Sequence, residues 1–155
     1  MSVAFRRESD EEHLEPRFEL PIPPGPNLVT PRGFDQIRVR NEELEAKLEG
    51  PLSEEERKVV LRDARYWRQR LASAELAPPA GGKQVAFGTR VTFVRDGRTH
   101  RIDLVGHDES EPGANRIAFT APLARALIGA EVGDEVEFAG ADQPILITAI
   151  EMTPA

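Results

Sequence analysis

Between residues 30 and 50, a row of mostly apolar residues recurs at alternating intervals of three and four. This spacing is typical of the seam of a two-stranded coiled coil, the row of residues through which one helix contacts the other. Thr30-Pro31 offers a capping hydroxyl and a proline at the first helical position, and Gly50-Pro51 is a pair that ends helices. The pattern therefore predicts a helix between these two signals. Its seam consists of Phe34, Ile37, Asn41, Leu44 and Leu48, with Asn41 as the polar member that fixes the register.

A second helix is predicted directly after the first. Ser53, followed three residues later by Glu56, forms a capping box, in which the two residues satisfy each other's backbone amides at the start of a helix. The next seam positions are spaced four and three residues apart. The connection between the two helices is only a few residues long and makes them antiparallel, so the pattern predicts a helical hairpin. The second seam consists of Val60, Ala64, Trp67, Leu71 and Ala74.

Beyond residue 83, the pattern changes to short stretches typical of strands. Residues 90–94 and 100–105 alternate in part between apolar and polar side chains, and they flank Asp96-Gly97, a dipeptide favoured in hairpin turns. This half of the chain predicts an α+β fold of about five strands and one short helix. Further strands are expected at 116–120, 135–138 and 144–150, and the helix at 122–128.

Proline and glycine clusters divide the chain into segments. Residues 1–29 show no periodicity and contain Pro21-Ile22-Pro23-Pro24-Gly25-Pro26, which favours extended backbone, so they are predicted to form a disordered, proline-rich tail. A second cluster, at residues 78–82, separates the two patterned halves. The predicted organisation is a tail at 1–29, an antiparallel coiled-coil hairpin at 30–77, a hinge at 78–82 and a β-rich domain at 83–155.

Composition narrows the class of protein. The chain has 155 residues, of which 39% are apolar, and it has no cysteine, which excludes a disulfide framework and thiolate metal sites. No apolar run approaches the roughly 20 residues that span a bilayer, and the N-terminal stretch lacks the apolar core of a signal peptide. We therefore expect a cytoplasmic monomer that does not associate with membranes.

The charges are unevenly placed along the chain. The net charge of −7 argues against an autonomous DNA-binding domain, because affinity for phosphates comes from basic surface. The predicted turn of the hairpin is nevertheless strongly acidic, and the second helix is basic. Glu54, Glu55 and Glu56 occupy the first turn of that helix, where carboxylates also complement the helix dipole, and the basic residues are equally compatible with a plain solvated face.

The sequence lacks the motifs of well-known catalytic sites. It contains no glycine-rich phosphate loop, no nucleophile elbow and no pair of histidines at metal-binding spacing. His13, His100 and His107 stand apart, and each is interpreted as a surface or edge residue rather than a ligand. We predict no catalytic residue, no metal site of the chain's own, no cofactor and no enzymatic activity.

The C-terminal half carries a more specific signal, a series of short motifs in a fixed order. The most specific piece is Pro122-Leu123-Ala124-Arg125-Ala126-Leu127-Ile128-Gly129, which Ala121 precedes. In order and spacing, the series resembles the C-terminal domain of the GreA/GreB family of transcription elongation factors. The other pieces are Val85-Ala86-Phe87-Gly88, Val91-Thr92-Phe93, Val105-Gly106 with Asp108-Glu109, Ile117, and Val132-Gly133-Asp134.

Two motifs of the N-terminal half resemble the same family. Leu28-Val29-Thr30-Pro31-Arg32-Gly33-Phe34 is similar to the start of the family's first helix. Arg70-Leu71-Ala72-Ser73-Ala74-Glu75-Leu76 is similar to the end of its second helix. The resemblance thus covers about residues 28 to 151 and leaves the tail unmatched.

The resemblance implies a partner and a way of binding it. The C-terminal domain is expected to be FKBP-like and to dock on the rim of the secondary channel of bacterial RNA polymerase, with Ala121, Pro122 and Leu123 as polymerase-binding residues. The coiled coil is expected to project into that channel. No sequence-specific contact with nucleic acid is expected.

In the cleavage factors of the family, an Asp and a Glu at the hairpin tip help to hold a catalytic magnesium ion in the polymerase. Glu54, Glu55 and Glu56 are the corresponding candidates here, for contact with that magnesium or with the channel. Glu54 falls on the Glu position, but Pro51 stands at the Asp position. Both helices are also shorter than those of the family, so we predict that this chain stimulates little or no transcript cleavage.

Two classes of function remain. The first is a polymerase-binding regulator of elongation. The second is an FKBP-like adaptor that regulates another partner, as a regulator of nucleotide metabolism does. A peptidyl-prolyl isomerase is suggested by fold analogy alone, which does not carry function. The aromatic residues of the C-terminal half, Phe87, Phe93, Phe119 and Phe138, are expected in the core rather than in a proline pocket.

Overall fold

The computed structural model describes residues 19–78 and 80–153. These residues form an α+β fold with a helical N-terminal part and a C-terminal β-sheet, which confirms the predicted fold class. The chain divides into two compact units. The hairpin unit comprises the described residues 19–25 and 37–73, and the sheet unit comprises residues 26–36 and 74–153.

Apart from β1 and β2, the helices and strands lie close to the positions that the sequence pattern predicts. The helices are α1 (Pro31–Leu48), α2 (Glu54–Ser73) and α3 (Pro122–Leu127). The strands are β1 (Leu28–Val29), β2 (Glu75–Leu76), β3 (Thr89–Arg95), β4 (Arg98–Val105), β5 (Arg116–Ala118), β6 (Glu135–Val136) and β7 (Ile145–Met152), with 3-10 turns at His107–Glu109 and Pro112–Ala114. Across residues 19–78 and 80–153, no helix combines the length and the apolar character needed to cross a membrane.

In the hairpin unit, α1 and α2 pack against each other in antiparallel fashion. Leu44 of α1 is buried with Val60 and Ala64 of α2, as the seam spacing predicts. Away from this contact, Arg68 Nη2 donates a hydrogen bond to Glu45 Oε1 across 2.9 Å and links the two helices at the surface. The cluster is completed by the half-buried Leu48, Leu52 and Trp67.

Asn41, the predicted polar seam residue of α1, is half-buried. Its Oδ1 is buried and accepts no hydrogen bond from any residue of 19–78 or 80–153. A buried amide oxygen without a donor lowers stability, because it has lost its hydrogen bonds to water without replacement. This agrees with the expectation for a polar seam residue, which favours one register of the helices at some expense of stability.

The sheet unit is built on a five-stranded sheet in the order β5-β4-β3-β7-β6. The central strand β3 is antiparallel to both neighbours, β4 and β7, whereas β5 joins β4 in parallel. β3 and β4 are connected through Asp96 and Gly97, whose φ values of 51° and 80° are those of a tight hairpin turn. The Asp96-Gly97 dipeptide was therefore a correct turn signal.

The core of the sheet unit lies between the sheet and α3. Phe93 of β3 and Leu104 of β4 are almost fully buried, and α3 adds Ala124 and Leu127 from its inner face. Alternate residues of the strands thus form one apolar layer that α3 covers. The remaining buried members are Val85, Val91, Ile102, Ile145 and Ile147.

The predicted tail extends to residue 29, but Leu28 and Val29 form β1, which pairs in parallel with β2. Two backbone hydrogen bonds flank this pair, from Glu75 N to Asn27 O at 2.9 Å and from Ala77 N to Val29 O at 3.3 Å. Strands of two residues are too short to show a periodicity, so the sequence pattern could not indicate them. Residues 1–18 of the predicted tail lie outside the described residues.

The division between the units also differs from the predicted hinge at 78–82. The sheet unit begins at residue 74 on the C-terminal side of the hairpin and includes residues 31–36, the first turns of α1. The boundary lies earlier in the chain because β1 pairs with β2. This pairing places the segments at both ends of the hairpin in the sheet unit, N-terminal to the proline and glycine cluster.

Candidate functional site

The three residues that the sequence predicts to bind a partner lie where the loop after β5 leads into α3. Ala121 is the last residue of the loop, and Pro122 and Leu123 are the first two residues of the helix. Ala121 precedes α3 without a side-chain cap, and Pro122 occupies the first helical position, where its missing N–H costs no hydrogen bond. Ala121 and Leu123 are half-buried and pack against the core. Pro122 is exposed, so of the three predicted residues it is the one whose side chain is accessible at the surface.

An aromatic group supports this loop. Phe119 lies edge-to-face against Phe87, with ring centroids 5.3 Å apart, and edge-to-face against His107 at 5.6 Å. Thr120 Oγ1 lies 3.4 Å from Nε2 of His107. His107 and Phe119 are half-buried. A surface or edge position was expected for His107, and Phe119 was expected in the core but is not a member of the buried core cluster. The contacts hold the chain just before Pro122 in a defined position.

Two exposed apolar side chains follow α3 and were not singled out as site residues from the sequence. Ile128, at the C-terminal end of α3, is 42% exposed, and Val132 is 56% exposed. Each is followed by a glycine with positive φ, Gly129 at 96° and Gly133 at 95°. The glycines were a sequence signal of tight turns, and tight turns carry the preceding side chains outward.

The hairpin tip carries the three candidate glutamates on the first turn of α2, and all three are exposed. The capping box is present as predicted: Glu56 N donates to Ser53 Oγ at 3.0 Å, and Ser53 N donates to Glu56 Oε1 at 2.9 Å. The Glu56 carboxylate therefore serves the helix start. Within residues 19–78 and 80–153, no group of three or more acidic or histidine side chains is placed to hold a metal ion.

Ser53→Ala should lower the free energy of unfolding of the hairpin by about 0.5–2 kcal/mol, because the amide of Glu56 loses its acceptor at the start of α2. Glu56→Gln is the matched control, since glutamine also completes a capping box and should cost less. Urea unfolding followed by far-ultraviolet circular dichroism measures both. Equal stability of Ser53→Ala and the wild type would contradict the role of this cap.

The basic residues of α2 are not a uniform solvated face. Arg65 pairs with Glu19 at 2.8 Å and Arg68 pairs with Glu45, and these hydrogen bonds hold the pKa of each carboxyl below its ordinary value. Each pair therefore adds to the stability of the fold at pH values above the ordinary pKa of the carboxyl. This contribution is lost as the pH falls through the lowered pKa.

Arg70 differs from the predicted solvated face of α2. It is only 2% exposed, and its guanidinium lies 5.9 Å from the centre of the Tyr66 ring.

The structure thus combines an exposed proline at a supported strand-to-helix junction with a helical hairpin that has an acidic tip. Residues 79–152 match the model of the C-terminal domain of the transcription elongation factors GreA/GreB. GreB of Pseudomonas aeruginosa is 33% identical over 144 residues, covering 77% of this chain and 86% of that protein. GreA of Beijerinckia indica is 31% identical over 134 residues, covering 70% and 85%.

The chain belongs to the GreA/GreB family of transcription elongation factors. This confirms the resemblance seen in the motifs, and it confirms the prediction that the chain is not an enzyme, since the family consists of transcription factors. Other relatives match over a shorter part: GreA of Hyphomonas neptunium is 46% identical over 63 residues, 38% of this chain and 39% of that protein. Among solved structures, the GreA/GreB factor of Nitrosomonas europaea aligns over 80% of this chain and 98% of its own, with 20% identity and a TM-score of 0.41.

Proposed function

We propose that this chain regulates transcription elongation by binding bacterial RNA polymerase at its secondary channel. The family assignment supports the partner, and the match over residues 79–152 supports the sheet unit as the part that binds it. Docking occurs through the loop at Ala121, Pro122 and Leu123. In this proposal the factor is a cytoplasmic monomer, and it makes no sequence-specific contact with nucleic acid.

The observation that carries the docking proposal is the exposure of Pro122 on a rigid support. Proline has a fixed φ and no conformational freedom to lose on binding, so an exposed proline on a braced loop binds at low entropic cost. Ala121 and Leu123 set the position of Pro122, because they are packed into the core beside it. Ile128 and Val132 are further exposed apolar residues of the same unit that a partner could cover.

Binding of the full chain to core RNA polymerase tests the proposal. Fluorescence anisotropy of the labelled chain, titrated with core enzyme, should give a saturable curve that an established GreA or GreB competes away. Competition places the two proteins on overlapping surfaces of the polymerase. Binding without competition would contradict the secondary channel, and absence of binding would favour an adaptor that serves another partner.

The hairpin tip has few oxygen ligands for a magnesium ion shared with the polymerase. Magnesium requires oxygen ligands at roughly 2.1 Å in near-octahedral geometry. Glu54 and Glu55 are exposed and could supply oxygens, but Glu56 is bound to the backbone of Ser53, and Pro51 has no ligand to give. The part of α1 in the hairpin unit, residues 37–48, is only about 18 Å long. We infer that the chain occupies the channel without assembling a cleavage site.

The full chain should therefore stimulate cleavage in a backtracked elongation complex by less than about threefold, whereas a cleavage-competent member of the family gives a large stimulation. Gel analysis of the shortened transcript measures it. The comparison includes Glu54→Ala and a variant with Glu54, Glu55 and Glu56 all changed to Gln. Robust cleavage by the wild type that disappears in either variant would show that the tip does hold the ion, and the proposal for the tip would be wrong.

A further inference from the structure

Glu109 is a buried carboxylate of the sheet unit that the proposed docking loop does not use. It lies in the 3-10 turn His107–Glu109 and is only 7% exposed. Its Oε1 accepts a hydrogen bond from Thr30 Oγ1 at 2.6 Å, and its Oε2 pairs with Arg32 Nη1 at 2.8 Å. Both partners belong to the start of α1. A charged group is buried at this depth only where paired and hydrogen-bonded, so the contact is specific to these partners.

Thr30 uses its hydroxyl group twice. Its Oγ1 accepts the hydrogen bond of Gly33 N at 2.9 Å, which caps the helix, while its hydroxyl hydrogen is donated to Glu109. A hydroxyl has one hydrogen to donate and can accept at the same time. Glu109 therefore fixes the rotation of the Thr30 hydroxyl group and, through it, the first turn of α1.

Two glycines allow this close packing, Gly33 beside Glu109 and Gly106 beside Leu28. A Cβ atom at Gly33 would lie 2.6 Å from Oε1 of Glu109, and one at Gly106 would lie 2.3 Å from the carbonyl oxygen of Leu28. Gly33 stands inside a helix, where glycine is among the least favourable residues. Its place there is explained by the carboxylate that occupies the space of its missing side chain.

We propose that Glu109 is a positioning residue for the start of α1: it holds the first turn of this helix within the sheet unit, which also carries Pro122. α1 continues from this first turn without a break to Leu48. All the contacts of this latch, defined as Glu109 with Thr30, Arg32 and Gly33, lie within the sheet unit. The functional consequence rests on the proposed binding to RNA polymerase.

Hydrogen exchange of the free, full-length chain tests the latch without the polymerase. In Glu109→Gln, the amides of residues 33–36 should exchange about tenfold faster, while those of β3 and β4 stay unchanged. Glu111→Gln is the matched control, since Glu111 also pairs with an arginine, Arg116 at 3.0 Å, but is exposed. Exchange at 33–36 that rises no more than in this control would overturn the latch.

A double-variant comparison shows whether the carboxylate is what excludes a side chain at Gly33. Gly33→Ala should speed exchange at residues 34–36 in the wild-type background, because its Cβ displaces Glu109. In a Glu109→Ala background, the same change should slow exchange, since the nearest obstacle is gone, only Thr30 Oγ1 remains at 3.3 Å, and alanine favours the helix. An equal effect of Gly33→Ala in both backgrounds would overturn the assignment.

Polymerase measurements test the positioning role. Glu109→Gln should bind core enzyme within about threefold of the wild type, while its effect on elongation at saturation falls by at least about threefold. An unchanged effect on elongation would overturn the positioning role, and so would a loss of binding equal to that of a Pro122 variant. If the wild type neither binds nor alters elongation, the proposed function fails, and the exchange data alone support or overturn the latch.

Discussion

Pro122→Asp should weaken the binding of the full chain to core RNA polymerase by at least about tenfold, with the fold intact. Pro122 is exposed at the first position of α3, where an aspartate is well tolerated because carboxylates favour the N-terminal end of a helix. At an interface, the same carboxylate must be stripped of water and replaces an apolar ring, so binding suffers while stability does not.

Anisotropy titration measures this effect, and circular dichroism confirms the fold. Pro122→Ala should give a smaller loss, because it removes the ring without adding charge. Thr148→Asp is the matched control on the exposed side of β7. Should Thr148→Asp weaken binding more than Pro122→Asp does, the docking surface would be the open side of the sheet, and the assignment of the loop would be wrong.

Phe93→Ala should lower the free energy of unfolding of the sheet unit by about 3–5 kcal/mol, which is a large part of the roughly 5–15 kcal/mol that stabilises a typical domain. Phe93 is 1% exposed at the centre of the core, on the strand that pairs with both β4 and β7. Removing its ring leaves a cavity that the flanking strands cannot close without breaking their pairing.

Native-state hydrogen exchange of the amides of β3 and β4, with Phe119→Ala beside it, tests this prediction, because these strands belong to the sheet unit. Phe119 is half-buried and rests on Phe87 and His107 at the loop, so its removal should cost less and should act on polymerase binding as well. A loss below about 1 kcal/mol for Phe93→Ala would mean that the core is not organised around this residue.

Much of the fold could be predicted because the relevant signals are local. The capping box of Ser53 and Glu56 lies within one helical turn, and Asp96-Gly97 is a complete turn signal in two residues. The burial of Leu44, Val60 and Ala64 follows from spacing alone. Each of these features depends on residues close together in the chain, so the sequence pattern contains them.

The features that were missed depend on residues far apart or on environments that composition does not reveal. Glu109 meets Thr30 across 79 positions of the chain, and nothing near either residue indicates the pairing. Arg70 has the same charge as its exposed neighbours, yet the fold buries it beside Tyr66. At the proposed docking surface, the motif pointed to three residues, but only the packing of Ala121 and Leu123 shows that Pro122 is the exposed one.

Residues 37–73 of the hairpin unit are an insertion between two segments of the sheet unit, which the pairing of β1 with β2 joins. The chain leaves the sheet unit after residue 36 and returns at residue 74, and the parallel pair Leu28–Val29 with Glu75–Leu76 closes this excursion at its base. The entropic cost of closing a loop rises only with the logarithm of its length, so the base tolerates arms of very different lengths. Matched gains or losses of whole helical turns in α1 and α2 would change the length of the hairpin by about 5.4 Å each and leave the residues around Pro122 as they are. The length of the hairpin and the proposed docking surface can thus evolve, or be engineered, as separate properties of one chain.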